Sequence, residues 1–309
     1  MKTFLCGVAA AALLLTGCTP QAEVAQGPAK IAAGTKGPDG RINADPALWV
    51  LKDADTTIYL FGTVHVLRSD VDWFDDEVKR AYDASGELVL EMIQPEGAAA
   101  QGVIMAKATD PDGPALTAKL TPEAAAKYKA AMAQLGLPVA GFEGFEPWFV
   151  STVMGLIPLQ KLGYNPESGA EMILTKAAKA TGKPLIGLET FEQQIGYFDN
   201  LPEPLQIRFL NITVDDLPEL ETKFAELISS WTRGDAVRLA ALINEGLREA
   251  PEIGRILLTE RNARWATWID DRLDRPGTSF IAVGAGHLAG ADSVQAMLAK
   301  RGFKVTRVQ

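Results

Sequence analysis

Hydrophobic positions along the chain change period several times, and each change predicts an element. Leu48–Lys52 and Thr57–Phe61 are short apolar runs separated by Asp53-Ala54-Asp55, and they predict the two strands of a hairpin. Val71, Phe74, Val78 and Tyr82 then recur at helical spacing and predict a helix over 70–84. Glu87–Met92 reads as a strand. Thr121-Pro122-Glu123 offers a hydroxyl cap followed by proline at the first helical position, so a helix starts there. Pro147–Leu162 is almost wholly apolar and predicts a buried helix. Ser168–Ala180 predicts another helix, and Lys183–Leu188 a short strand. From Phe191 to Leu273 the pattern is helical, with breaks near Pro202, Pro218, Gly234 and Pro251. A strand over 278–283, a helix over 292–301 and a strand over 304–308 close the chain.

Strands therefore occupy both ends and helices the middle, about 95–275. This predicts an α/β protein whose mixed sheet is built from the N- and C-terminal parts, with a large helical insertion or cap. The domain is expected over 45–309. Ahead of it, residues 1–17 have the layout of a secretory signal, with Lys2, an apolar stretch from Phe4 to Leu15, and Leu15-Thr16-Gly17-Cys18 at its end. The apolar stretch is shorter than the ~20 residues a membrane span needs. A small-residue approach to a cysteine resembles a bacterial lipobox, which implies cleavage before Cys18 and lipidation there. The expected location is the cell envelope, anchored by lipid. Thr19 in place of an aspartate favours the outer membrane, facing the periplasm. Residues 18–44 read as a flexible tether rich in Ala, Gly, Pro, Gln and Lys.

Composition narrows the chemistry. The two cysteines, Cys6 and Cys18, both fall in the leader or at its end, so thiolate catalysis and thiolate metal sites are excluded from the expected domain. Hydrophobic residues make up 47 % of the chain, enough for a core that needs no disulfides. A net charge of −9 without any basic run argues against nucleic acid as a partner. A peptide or small-molecule substrate fits better; the sequence does not specify an oligomeric state.

The two histidines of the chain share one frame, Gly62-Thr63-Val64-His65 and Gly284-Ala285-Gly286-His287, each following a predicted strand. Glu91 and Glu189 also end apolar runs, so four chemically versatile side chains are expected at strand carboxyl ends, where α/β sheets place binding crevices. Two imidazoles and two carboxylates can hold a divalent ion (Mn, Co, Fe or Zn) that lowers the pKa of bound water toward about 7. His65, Glu91, Glu189 and His287 are the candidate ligands, and one of the two carboxylates can stay off the metal as general base. Without a metal, the two imidazoles could be a base and acid pair, with a glutamate orienting one ring. Structural roles compete. Glu189 precedes Thr190 and Glu192, which look like a helix start; Ser168-x-x-Glu171 has the spacing of a capping box. Arg261 and Asn262 lie on a helix whose apolar side is Leu257, Trp265, Trp268 and Ile269, and spacing alone leaves them solvated.

In order along the chain, Trp49–Val66, Glu87-Leu-Val-Leu-Glu91, Gly187-Leu-Glu-Thr190 with Gln193 or Gln194, Glu260-Arg-Asn262 and Ile281–Gly290 together resemble the TraB/GumN family. That family is similar to the Tiki metalloproteases and, more distantly, to erythromycin esterases and a haem-binding lipoprotein group. The Tiki resemblance implies a metal-dependent peptidase site on the two Gly-x-x-His frames and Glu91. It also raises Arg261 and Asn262 to catalytic candidates that steady an oxyanion. The esterase resemblance leaves a metal-independent His/Glu hydrolase open, and the lipoprotein group a haem- or metal-binding carrier without turnover. Where many relatives carry Gly-x-Asp, this chain has Gly169-Ala170-Glu171, either one acid exchanged for another or a capping glutamate.

Overall fold

The computed structural model describes residues 40–95 and 97–309. The expected signal, the lipidation site Cys18 and most of the tether lie outside the described residues. Eight strands are described: β1 (Ile42–Asn43), β2 (Leu48–Lys52), β3 (Thr56–Thr63), β4 (Val71–Asp72), β5 (Glu87–Met92), β6 (Leu185–Glu189), β7 (Gly277–Gly284) and β8 (Val305–Arg307). Six of them form one sheet in the order β6-β5-β7-β3-β2-β8. β6, β5, β7 and β3 run parallel, while β2 pairs antiparallel with β3 as the predicted hairpin and also with β8. The sheet is mixed, as expected, and β6 extends it from within the helical middle.

The central strands read as unbroken apolar runs because both faces of the sheet are covered. Alternation then sorts their side chains. Val89, Ile281 and Val283 pack with Trp265, Ile269, Leu273, Val294 and Leu298 on one face. Leu88, Leu90, Phe280 and Ala282 pack with Trp73, Tyr82, Leu174 and Ala178 on the other. A separate cluster, including Tyr128, Met132, Val150, Met154, Leu210 and Val214, stabilises the helical middle. The helix Pro147–Lys161 is buried on nearly every side, and Thr121 caps the helix Pro122–Leu135 by accepting from the Ala124 amide. No described helix is long and apolar enough to cross a membrane.

Two local expectations change. The helix predicted over 70–84 spans only Asp76–Ala84. Val71 and Asp72 instead form β4 beside β1, with Ile42 and Ala44 amides donating to Asp70 and Asp72 carbonyls at 2.7 and 2.8 Å. Val71 and Phe74 pack on the core ahead of the helix, so part of the helical spacing came from side chains packing out of an extended segment. The helix predicted from Ser168 starts at Ala170, with Gly169 at its cap and no side-chain capping bond. The Ser168–Glu171 capping box therefore does not form, and Glu171 is free for another partner.

Candidate active site

Because β3, β5, β6 and β7 are parallel, their carboxyl ends share one edge of the sheet. His65 follows β3, Glu91 is the penultimate residue of β5, Glu189 ends β6 and His287 follows β7. All four are buried, as are Arg261 and Asn262 on the helix Glu260–Leu273. The structure thus brings together every candidate side chain read from the sequence apart from Cys18.

His65 is held from behind by a second chain segment. The Val64 carbonyl accepts from the Ala170 amide at 3.0 Å, and Leu67 exchanges backbone hydrogen bonds with Asn165. A Cβ on Gly169 would lie 2.2 Å from the His65 carbonyl oxygen, so only glycine lets these segments meet. That approach delivers Glu171, whose Oε1 stands 2.6 Å from His65 Nδ1 and also accepts from the Thr63 hydroxyl. The His65–Glu171 contact is close but out of line with the ring N–H, so it acts more through charge than as a straight hydrogen bond. Burial alone would lower the His65 pKa, but the Glu171 charge and contact, with help from Glu91, outweigh burial and Arg261 and raise it above 6.5.

His287 is held differently. Its Nδ1 lies 2.6 Å from Asn262 Oδ1, while Asn262 Nδ2 donates to the Asp292 carbonyl at 2.8 Å. The second bond fixes which end of the amide faces the ring, so Nδ1 carries the proton and Nε2 keeps its lone pair. Arg261 Nη1 donates to that lone pair at 3.2 Å. Burial pushes the His287 pKa down, and the Arg261 and His65 charges push the same way against Glu91, to about 3. One imidazole is thus poised to take a proton and the other is kept neutral.

Arg261 joins the parts. It is stacked between Trp265 and Tyr197, with its guanidinium carbon 4.7 and 5.2 Å from their ring centroids. Nη2 contacts Glu91 Oε2 at 2.5 Å and Glu189 Oε2 at 2.8 Å, and Nε contacts both Glu189 oxygens at 3.0 Å. Burial works against the Glu91 charge, but Arg261, the histidines and the Gly284 amide hold its carboxyl well below the usual carboxylate range. The Gly284 amide donates to Glu91 Oε1 at 2.7 Å, and Gln194 Nε2 to Oε2 at 2.8 Å. A Cβ on Gly284 would meet Glu91 Oε1 at 3.1 Å and His65 Nε2 at 3.4 Å, so this glycine keeps the convergence point clear. The three side chains line a cavity of about 40 Å³, room for about three waters. Leu227, Leu239, Ile243, Leu257 and Leu258 form its opposite wall.

The TraB/PrgY/gumN family profile matches residues 47–307, spanning both histidine frames and every residue of this network. The chain belongs to the TraB/PrgY/gumN family. Among relatives, it is 28 % identical over 172 residues to "Uncharacterized protein YbaP" of Escherichia coli (strain K12), covering 53 % of this chain and 61 % of that protein. It is 21 % identical over 271 residues to an uncharacterized protein of Treponema pallidum (strain Nichols), covering 82 % of this chain and 80 % of the relative. The chain thus spans less than two thirds of YbaP. No solved structure matches it.

In this TraB-family site the expected divalent ion does not fit the side chains as they are arranged. Among the described residues, no group of three or more His, Cys, Asp or Glu is placed to hold a metal. The donors are of the right kind, but those of His287 and Glu91 are already engaged. Arg261 occupies the His287 lone pair, and both Glu91 oxygens carry N–H donors. Arg261 faces Glu91 and Glu189, and Arg264 lies 3.6 Å from Glu189, so two cations already neutralise this pair of carboxylates. Arg261 and Asn262, candidates for steadying an oxyanion, have their polar atoms engaged inside the network.

Several contributors were not visible in the sequence. Glu171 was left between a cap and an acid standing in for the relatives' aspartate, and its pairing with His65 was not legible. Tyr197 donates to Glu189 Oε1 at 3.0 Å and accepts from Arg264 at 2.7 Å, with nothing in its spacing to mark it. The Gln193/Gln194 ambiguity resolves cleanly: Gln193 completes a capping box with Thr190, and Gln194 binds Glu91. Glu189 is therefore not the cap of its following helix.

Proposed function

We propose that this TraB-family protein is a metal-independent hydrolase of amide or ester bonds. The observation that carries this reading is the pair of imidazoles across one small cavity, one raised by a buried carboxylate and the other held neutral. Environments that push two like groups apart in this way separate acid–base roles. His65 is the general base. Its Nε2 removes a proton from a cavity water, whose oxygen adds to the substrate carbonyl carbon, while Glu171 stabilises the imidazolium that forms. The same proton passes from His65 to the leaving group as the bond to it breaks, which restores the starting state. His287 stays neutral, with its Nε2 lone pair accepting from Arg261, and so takes no proton from the water, while Arg261 with Glu91 holds His287 and the strand ends in register.

Protein freed of transition metals by exhaustive chelation, with the depletion verified by elemental analysis, tests this directly against a library of peptides, amides and aryl esters. The expected result is hydrolysis at the rate of untreated protein. Loss of activity on depletion and its return with Mn²⁺ or Co²⁺ would instead establish the metal-dependent peptidase that the Tiki resemblance implies.

A further inference from the structure

The cavity is narrow and only partly open. With room for about three waters and its polar residues buried, it is too small to seat a peptide or ester against His65 in this conformation. Its apolar wall comes largely from one continuous stretch, the helix Ala236–Leu247, the short helix Pro251–Gly254 and the π-helical turn Arg255–Thr259. That stretch begins at Gly234, whose φ of +62° permits a sharp turn and whose carbonyl is gripped by Arg307. It ends in a π turn, a feature frequent at functional sites. The ion pairs Arg238–Glu226 and Arg208–Glu252 that tie it to its surroundings are solvent-exposed, so they hold it weakly. Underneath, it rests on glycines: a Cβ on Gly286 would stand 3.3 Å from Ile243 Cδ1, and one on Gly290 3.0 Å from Asn244 Nδ2.

We propose that residues 235–259 form a lid that opens between Gly234 and the π turn, and that its underside of Leu239, Ile243, Leu257 and Leu258 seats an aliphatic group of the substrate beside His65. This rests on the hydrolase reading for the word substrate, but the opening and the apolar seat are tested without turnover. The Leu257 carbonyl accepts from Arg261 Nη1 at 3.2 Å, so closure registers the lid against the same guanidinium that holds Glu91 and Glu189. An aliphatic seat follows from the wall itself: a polar group placed there would lose water and gain no partner.

A disulfide lock provides the test. A Cβ at position 290 would lie 3.8 Å from Ala240 Cβ, the mean separation in disulfides. The full chain with Cys6→Ser, Cys18→Ser, Ala240→Cys and Gly290→Cys is treated with diethylpyrocarbonate, and carbethoxylation of His65 and His287 is followed by peptide mass spectrometry. Reduced protein should react at the rate of the Cys6→Ser/Cys18→Ser parent. Oxidised protein should react at least about tenfold more slowly, because only opened molecules expose the rings. Equal rates in both redox states would overturn the lid. Gly290 has φ +85°, which strains a cysteine there; hydrogen exchange of the unaltered protein supplies an independent reading. Residues 235–259 should open as one unit with less protection than β7, and equal protection would overturn the proposal. In the reduced protein, hexanamide should shield both histidines while acetamide should not; the reverse order overturns the aliphatic seat. Histidines that are gated and shielded as described in a protein that hydrolyses nothing would leave the lid standing and remove the hydrolase.

Discussion

Arg261→Met will destabilise the fold by at least about 3–5 kcal/mol, the cost of removing one partner from a buried ion pair. Methionine fills similar space and keeps contact with Trp265, so the loss isolates the charge. Glu91 and Glu189, both buried, lose the cation that faces them. The pH dependence identifies the cause. In the native protein Glu91 is held below the usual carboxylate range, so it contributes stability above that range and loses it as pH falls. Without Arg261 its folded pKa rises, and the variant takes up a proton more readily than the native protein does. The deficit in urea unfolding should therefore be largest near neutral pH and shrink as the carboxylates protonate. Adding Glu189→Gln should recover part of the loss. A deficit below about 1 kcal/mol at neutral pH would mean that the network is less dry than its burial implies.

His65→Ala should lower kcat by about 10²- to 10⁴-fold, the range for removing a positioned general base. Glu171→Gln should lower it less and leave a signature that a structural lesion would not. Glu171 raises the His65 pKa, so its amide lets His65 stay neutral at lower pH. The acidic limb of the kcat profile should therefore move toward lower pH while the maximum falls. A reduced maximum with an unmoved limb would remove Glu171 from the proton path.

Much of this site was legible in the sequence for a specific reason. Parallel strands of a sheet covered on both faces are apolar runs, and a charged residue closing such a run must sit at the sheet edge with a partner. That argument reached His65, Glu91, Glu189 and His287 without coordinates. It could not reach their partners, because pairing depends on where distant segments cross. Glu171 meets His65 only because Gly169 lets two backbones touch, and local spacing there matched a capping box equally well. Arg261 and Asn262 looked solvated because their helix faces both the core and the sheet edge; a stripe of tryptophans marked the first and nothing marked the second. The helix start at Asp76 failed for a similar reason, since Trp73 and Phe74 pack into the same core from an extended segment.

The two histidines contribute to fold stability in opposite pH windows. His287 has a folded pKa near 3, below its ordinary 6.5, so its contribution is complete above 6.5 and is lost as pH falls toward 3. His65 is raised, so its contribution is present below 6.5 and is lost as pH climbs through its folded pKa. Because the chain holds only these two histidines, long-range ¹H–¹⁵N NMR of the folded protein resolves both rings through one titration. The predicted result is one ring titrating above 6.5 and the other remaining a neutral Nδ1–H tautomer throughout the range from 8 to 5. Two rings titrating together near 6.5 would contradict the separation of roles on which the site is built.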